Sequence, residues 1–181
     1  PLPGKTCGCA ALRKSGGFVL AMDTGLYGFD PATGQMEFLL RAGPDQPGNR
    51  YNDGRCDRRG RLWIGTMDID IKRPSGSFYR IGTDCSVLRL FDGIIVPNST
   101  AFSPDDRKLY FADTPRHVIW TFDFDIDAGQ RLAKCIEAEL VVCRHEHGGL
   151  GAGRARRVQS RQHRVAVPAN VPPHLYAIPD V

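Results

Sequence analysis

A chain of 181 residues suits a single domain, and its 41% hydrophobic and 24% charged residues are ordinary globular composition. No apolar run approaches the roughly eighteen residues of a membrane-spanning helix, and no basic segment leading into an apolar one opens the sequence, so neither a span nor a secretion signal is expected. The net charge of +4 is shared: residues 1–134 hold 18 basic and 16 acidic groups, and the other +2 lies beyond them.

Cys7-Gly8-Cys9 comes first. Its spacing would put both thiols on one face of a strand, but no further ligand stands at metal-binding spacing. Cys56 sits inside a strand-like stretch and Cys85 just before another. The six cysteines therefore read as free, mostly packed thiols, which points to a reducing, cytoplasmic setting.

Three segments then share one shape: a polar turn, an apolar strand, a short gap, an aromatic-bearing strand, and Gly or Asp punctuation. The first is "ALRKSGGFVLAMDTGLYGFDPATG". The second is "DGRCDRRGRLWIGTMD" followed by "SGSFYRIGTDCSVLRLF". The third is "AFSPDDRKLYFADTPRHVIWTFDFDIDAGQRL". Phe18 matches Leu62 at an offset of 44, Trp63 matches Tyr110 at 47, and Asn52 matches Asn98 at 46. Helical patterning is nearly absent. A strand-rich repeat of roughly 40 to 50 residues is the arithmetic of a β-propeller, one four-stranded blade per period. The fold class is thus all-β, with about three blades in residues 1–134. "FVLAMD", "LWIGTM" and "LYFADT" read as strands buried on both faces. The small residues Ala21, Gly65 and Ala112 fall in register, where they would let blades pack closely. "DPATGQ" and "DIDAGQ" read as hairpin turns.

The blade pattern stops near Lys134. Residues 135–181 lack Phe and Trp and gather six arginines and four of the five histidines. This Arg/His/Gly-rich tail is either frame-shifted relative to the blade pattern or disordered. A nucleic-acid arm and a zinc site at His145 and His147 are set aside, because no helix or strand frames those residues.

Polar residues recur before the second strand of each later repeat. Arg50, Asn52 and Asp53 stand in "NRYNDG", and Asn98 in "VPNS". Taken singly, each reads as turn chemistry or a solvated cation. Asp57 and Asp105 read as turn-forming residues throughout.

In their joint order, however, "RYNDGRCDRRGRLWIGTMD" and "GIIVPNSTAFSPDDRKLYFADTPRHVIWTFDFD" resemble the signature of the SMP-30/gluconolactonase/regucalcin family. The resemblance implies a six-bladed propeller holding one divalent metal ion (Ca, Zn, Mg or Mn) in its central channel and hydrolysing a sugar lactone. It implies Asn98 as a metal ligand and Arg50, Asn52 and Asp70 as substrate-binding residues. Asp53 and Asp113 would line the site wall. The residue that activates water is not assigned. The chemistry suits these types: Asn98 offers a neutral oxygen, Arg50 a planar fork of donors, and Asn52 both a donor and an acceptor. Ser99 departs from the glycine usual after the ligand asparagine. Two further ligands implied by the family, a glutamate in a G-E-G-P-like stretch and an aspartate in P-D-G, have no counterpart here. Where the aspartate should stand the sequence reads "CRHEHGGLGAGRARR". The expectation is an incomplete and inactive fragment of a lactonase. Its partner would be a small sugar lactone, with no nucleic acid and no membrane. The alternative is a non-enzymatic calcium-binding or protein-interaction propeller module.

Overall fold

A computed structural model describes residues 2–42 and 47–139, the last ten by backbone alone. Twelve strands form three four-stranded antiparallel sheets, each a simple meander in sequence order. The first holds β1 (Cys7–Leu12), β2 (Phe18–Met22), β3 (Gly25–Phe29) and β4 (Met36–Leu40). The second holds β5 (Asn49–Cys56), β6 (Leu62–Asp68), β7 (Gly76–Ile81) and β8 (Val87–Ile94). The third holds β9 (Pro97–Phe102), β10 (Lys108–Asp113), β11 (Val118–Asp125) and β12 (Gln130–Glu139). The described residues include no α-helix; a single 3-10 turn spans Thr114–Arg116. None of their helices is long and apolar enough to cross a membrane.

The first strands of the sheets lie side by side, β1 against β5 and β5 against β9. Sequential meanders with neighbouring inner strands make the fold β-propeller-like. The sheets meet through two cores. Leu62, Ile64, Tyr79 and Ile81 of the second sheet pack on Ala21 and Leu26 of the first. Trp63 and Phe78, from the other face of the second sheet, pack on Leu109, Phe111, Phe122 and Phe124 of the third. Alternate side chains of β6 thus serve opposite cores, so every residue of "LWIGTMD" is buried. Trp63 is fully buried, with the rings of Phe78, Phe102 and Phe124 centred 5.5–6.1 Å away.

Polar punctuation behaves as its chemistry demands. Asp57 is buried at the β5–β6 turn and accepts from the Arg59 and Arg61 amides, from Arg61 Nε at 2.7 Å and from Trp63 Nε1 at 2.9 Å. Asp105 accepts from the Arg107 amide and the Ser103 hydroxyl in the β9–β10 turn. In "DPATGQ", the Asp30 carboxylate accepts from the Ala32 amide and the Thr33 hydroxyl, and Gly34 takes a φ of 70°. Gly129 does the same in "DIDAGQ" at 61°.

The described cysteines are free thiols, though not uniformly packed: Cys9 and Cys56 pack on the first core, whereas Cys7 and Cys85 are exposed. Cys7 opens β1, and Cys85 sits on the β7–β8 turn with a φ of 65°. Beyond Lys134, β12 continues to Glu139. The arginine and histidine cluster from Arg144 onward lies outside the described residues.

Candidate functional site

Each inner strand carries an irregularity at an equivalent place. In β1 an extra residue, Gly8, falls between the partners Cys7 and Cys9. In β5, Asn52 and Asp53 together face one residue of β6, between the pairs Tyr51–Thr66 and Gly54–Ile64. In β9, Ser99 and Thr100 do so between Asn98–Ala112 and Ala101–Tyr110. Such bulges bend a strand and re-aim its side chains. Ser99 has a φ of 56°, so a serine takes the left-handed conformation that glycine adopts freely.

Beside these bulges, three of the sequence candidates form one hydrogen-bonded chain. Arg50 Nη1 donates to Asn52 Oδ1 at 2.9 Å and to the Tyr51 carbonyl at 2.9 Å. Asn52 Nδ2 donates to Asn98 Oδ1 and to the Pro97 carbonyl, both at 2.8 Å. Asn98 Nδ2 donates in turn to Thr114 Oγ1 at 2.8 Å. Arginine can only donate, so the polarity of both carboxamides follows from it. Asn52 must turn its oxygen to Arg50 and its nitrogen to Asn98. The Nε and Nη2 groups of Arg50 have no partner among the described residues. Among the described residues these donors are left unused by the chain of asparagines.

The other candidates lie around this chain in different roles. Asp53 Oδ2 accepts from the Thr100 amide at 3.0 Å, a second tie between β5 and β9. Asp113 is wholly buried, and its carboxylate takes the Ile95 and Val96 amides and Arg116 Nη1 at 2.6 Å. Asp70 lies past the end of β6, on the same end of the sheet as Arg50, mostly exposed, with its carboxylate 3.3 Å from Lys72 Nζ. The hydrogen-bonded chain does not extend to it among the described residues.

Close backbone approach sets the spacing. A Cβ on Gly65 would stand 2.2 Å from Pro97 Cβ, and one on Gly8 would stand 2.3 Å from the Tyr51 carbonyl oxygen. Glycine at these positions lets β6 and β1 come up against the segments that carry Asn98 and Asn52. Beneath Arg50, the buried Tyr51 hydroxyl accepts from the Ala42 amide, and burial pushes its phenol up to about 12. Sequence reasoning passed over Thr114. The available signal was the Asp-Thr pair closing β10, which repeats Asp23-Thr24 after β2.

A metal ion here would find one oxygen, Asn98 Oδ1, that already accepts one hydrogen bond. No three His, Cys, Asp or Glu side chains converge among the described residues. Hard divalent cations take about six to eight oxygens, so these residues alone do not make a coordination shell.

Residues 1–141 match the profile of the SMP-30/Gluconolactonase/LRE-like region. The chain is 37% identical over 121 residues to a 6-deoxy-6-sulfogluconolactonase of Pseudomonas putida, covering 66% of this chain and 41% of that protein. It is 35% identical over 128 residues to regucalcin of Xenopus laevis, covering 68% and 43%. Among solved structures it resembles a calcium-binding protein, regucalcin, from Agrobacterium tumefaciens. That likeness has a TM-score of 0.64 and 37% identity, over 72% of this chain and 43% of the other. The chain thus spans less than half the length of these relatives.

Proposed function

Because the chain belongs to the SMP-30/gluconolactonase/LRE-like family, we propose that it supplies the substrate-orienting part of a sugar-lactone hydrolase, as three blades of a six-bladed propeller. The observation that carries this reading is the Arg50–Asn52–Asn98 chain, which crosses two inner strands and leaves Nε and Nη2 of Arg50 without a partner among the described residues.

Hydrolysis of a lactone adds water to the carbonyl carbon, breaks the ring C–O bond and leaves a hydroxy acid. Negative charge grows on the carbonyl oxygen as water adds. The Nε and Nη2 groups of Arg50 form a planar fork suited to that oxygen and to the carboxylate of the product. Hydrogen bonds to Tyr51 and Asn52 hold the fork in place, so its ordering cost is met before substrate arrives. Asn52 and Asn98 add polar groups that match sugar hydroxyls. Asp70, at the same end, would meet a hydroxyl farther from the carbonyl. A divalent ion belongs to the reading because relatives carry the name regucalcin and the Agrobacterium regucalcin is a calcium-binding protein. Asn98 is the ligand this chain would give it.

The test is hydrolysis of glucono-1,5-lactone, followed by proton release, by the full-length protein with Ca²⁺, Zn²⁺, Mg²⁺ or Mn²⁺ and after chelation. Metal-stimulated hydrolysis that Arg50→Ala weakens mainly through KM supports the reading. A protein that binds Ca²⁺ and opens no lactone supports the calcium-binding alternative that the same relatives favour.

A further inference from the structure

We propose that Thr114 is a positioning residue for Asn98. Its hydroxyl holds the nitrogen end of the Asn98 carboxamide, so that Oδ1 stays turned toward Asn52 and the open side of the site. The inference rests on the reading of Arg50, Asn52 and Asn98 as a functional constellation.

A carboxamide is nearly symmetric in shape, so packing alone orients it poorly. Two hydrogen bonds of opposite sense orient it well. Asn98 has both: Oδ1 accepts from Asn52, and Nδ2 donates to Thr114 at 2.8 Å. The sense of the first is inherited from Arg50 through Asn52, and the second secures the far end.

The hydroxyl itself is carried on a firm support. Thr114 opens the 3-10 turn, with Pro115 next, whose ring fixes φ. The Thr114 amide donates to the Val96 carbonyl at 3.1 Å, and the His117 amide returns to the Thr114 carbonyl at 3.0 Å. Just before it, buried Asp113 binds the Ile95 and Val96 amides. Asp113 therefore fixes together the segment that carries the hydroxyl and the segment that delivers Asn98.

The fold does not itself require a hydroxyl here. In the second sheet the corresponding residue is Ile69, which follows Asp68 at the end of β6. Its amide makes the same bond, to the Gly48 carbonyl at 2.9 Å. Ile69 is half exposed, and Asn52 in that sheet is oriented by Arg50 instead. The threonine accompanies Asn98, to which no arginine donates among the described residues, whereas Asn52 has Arg50.

The experiment compares Thr114→Val, which keeps the shape and removes the acceptor, with Thr114→Ser, which restores it, in the full-length protein. Side-chain amide NMR of asparagine-labelled protein reads the orientation directly. Two sharp, slowly exchanging Asn98 Nδ2 protons are expected in the parent and in Thr114→Ser, with exchange about tenfold faster in Thr114→Val. Lactone kinetics should show kcat about fivefold lower in Thr114→Val at a KM within about twofold, with Thr114→Ser close to the parent. The denaturant midpoint should be unchanged. The proposal is overturned if Thr114→Val leaves both the amide exchange and kcat unaltered, or if Thr114→Ser fails as badly as Thr114→Val. Should the parent open no lactone with any ion, the functional reading falls, and the amide exchange alone decides whether Thr114 positions Asn98.

Discussion

Asn52 lies in the bulge of β5 and Asn98 directly before the bulge of the neighbouring inner strand β9, and the amide nitrogen of the first donates to the amide oxygen of the second at 2.8 Å. The bond turns two turn-like sequences, 46 residues apart, into one polar surface.

The polarity of that surface gives a sharp expectation for Asn52→Asp. A carboxylate keeps the contact to Arg50 and strengthens it. It cannot donate, so it sets an oxygen against Asn98 Oδ1 and against the Pro97 carbonyl. We expect Asn52→Asp to lower kcat/KM for the lactone by about tenfold or more, and by more than Asn52→Ala, which removes the donor without adding repulsion. Steady-state kinetics of the two variants decide it. An aspartate variant more active than the alanine variant would contradict the assigned amide orientation.

Gly65→Ala tests the close approach of the second and third sheets. The new methyl would meet Pro97 Cβ at 2.2 Å, so Pro97 and with it Asn98 must shift. Overpacking of this kind costs about 1–3 kcal/mol. Urea denaturation should show the loss, and any activity should fall further than stability alone explains. The same change at Gly34, where nothing lies within 4 Å but φ is 70°, should cost only the backbone term.

Trp63→Ala should cost about 3–5 kcal/mol, because the indole fills the second core. Trp63→Phe keeps much of the aromatic packing but abandons the bond from Nε1 to Asp57 Oδ2 at 2.9 Å. The buried Asp57 carboxylate still has Arg61 Nε on the same oxygen. A smaller loss, about 1–2 kcal/mol, is therefore expected in the urea midpoint.

How much of this was legible follows from which residues speak locally. The β6 run "LWIGTMD" announces a strand buried on both faces, since apolar side chains sit at consecutive positions. Asp30 and Gly34 announce their turn in the same way. The Asn52–Asn98 bond was not legible as geometry, because bulge positions depend on the pairing of β5 with β6 and of β9 with β10. The repeat offset could only suggest that the two residues are equivalent. The partners of buried Asp113 were hidden for a related reason. They are the Ile95 and Val96 amides, which lie 18 and 17 residues away in an apolar stretch that shows no polar side chain. The role of Thr114 was not legible either, because its partner Asn98 lies 16 residues away on another strand.

Asp68 predicts the response to acid. Its carboxyl is held below the ordinary value of 3.8, first by the hydrogen bond from Arg73 and then, against the opposing effect of burial, by the Lys72 amide and the charge of Arg73. The contacts are Arg73 Nη2 at 3.0 Å, the Lys72 amide at 3.0 Å and the Arg73 amide at 3.1 Å. The unfolded chain takes up this proton at higher pH than the folded one does. The contribution of Asp68 to stability is therefore fully present above the unfolded value and is lost as pH falls through the lower, folded value. Asp30, Asp84 and Asp105 are lowered too, by hydrogen bonds in their own turns, so the parent should lose stability progressively below about pH 4 for several reasons at once. The difference between parent and Asp68→Asn isolates one of them. The variant should be less stable at pH 7, and the gap should narrow as pH drops below 3.8. Urea midpoints measured from pH 7 to pH 2.5 provide the test. A gap that stays constant over that range would mean that Asp68 stabilises the β6–β7 turn as a neutral acceptor, with no help from its charge.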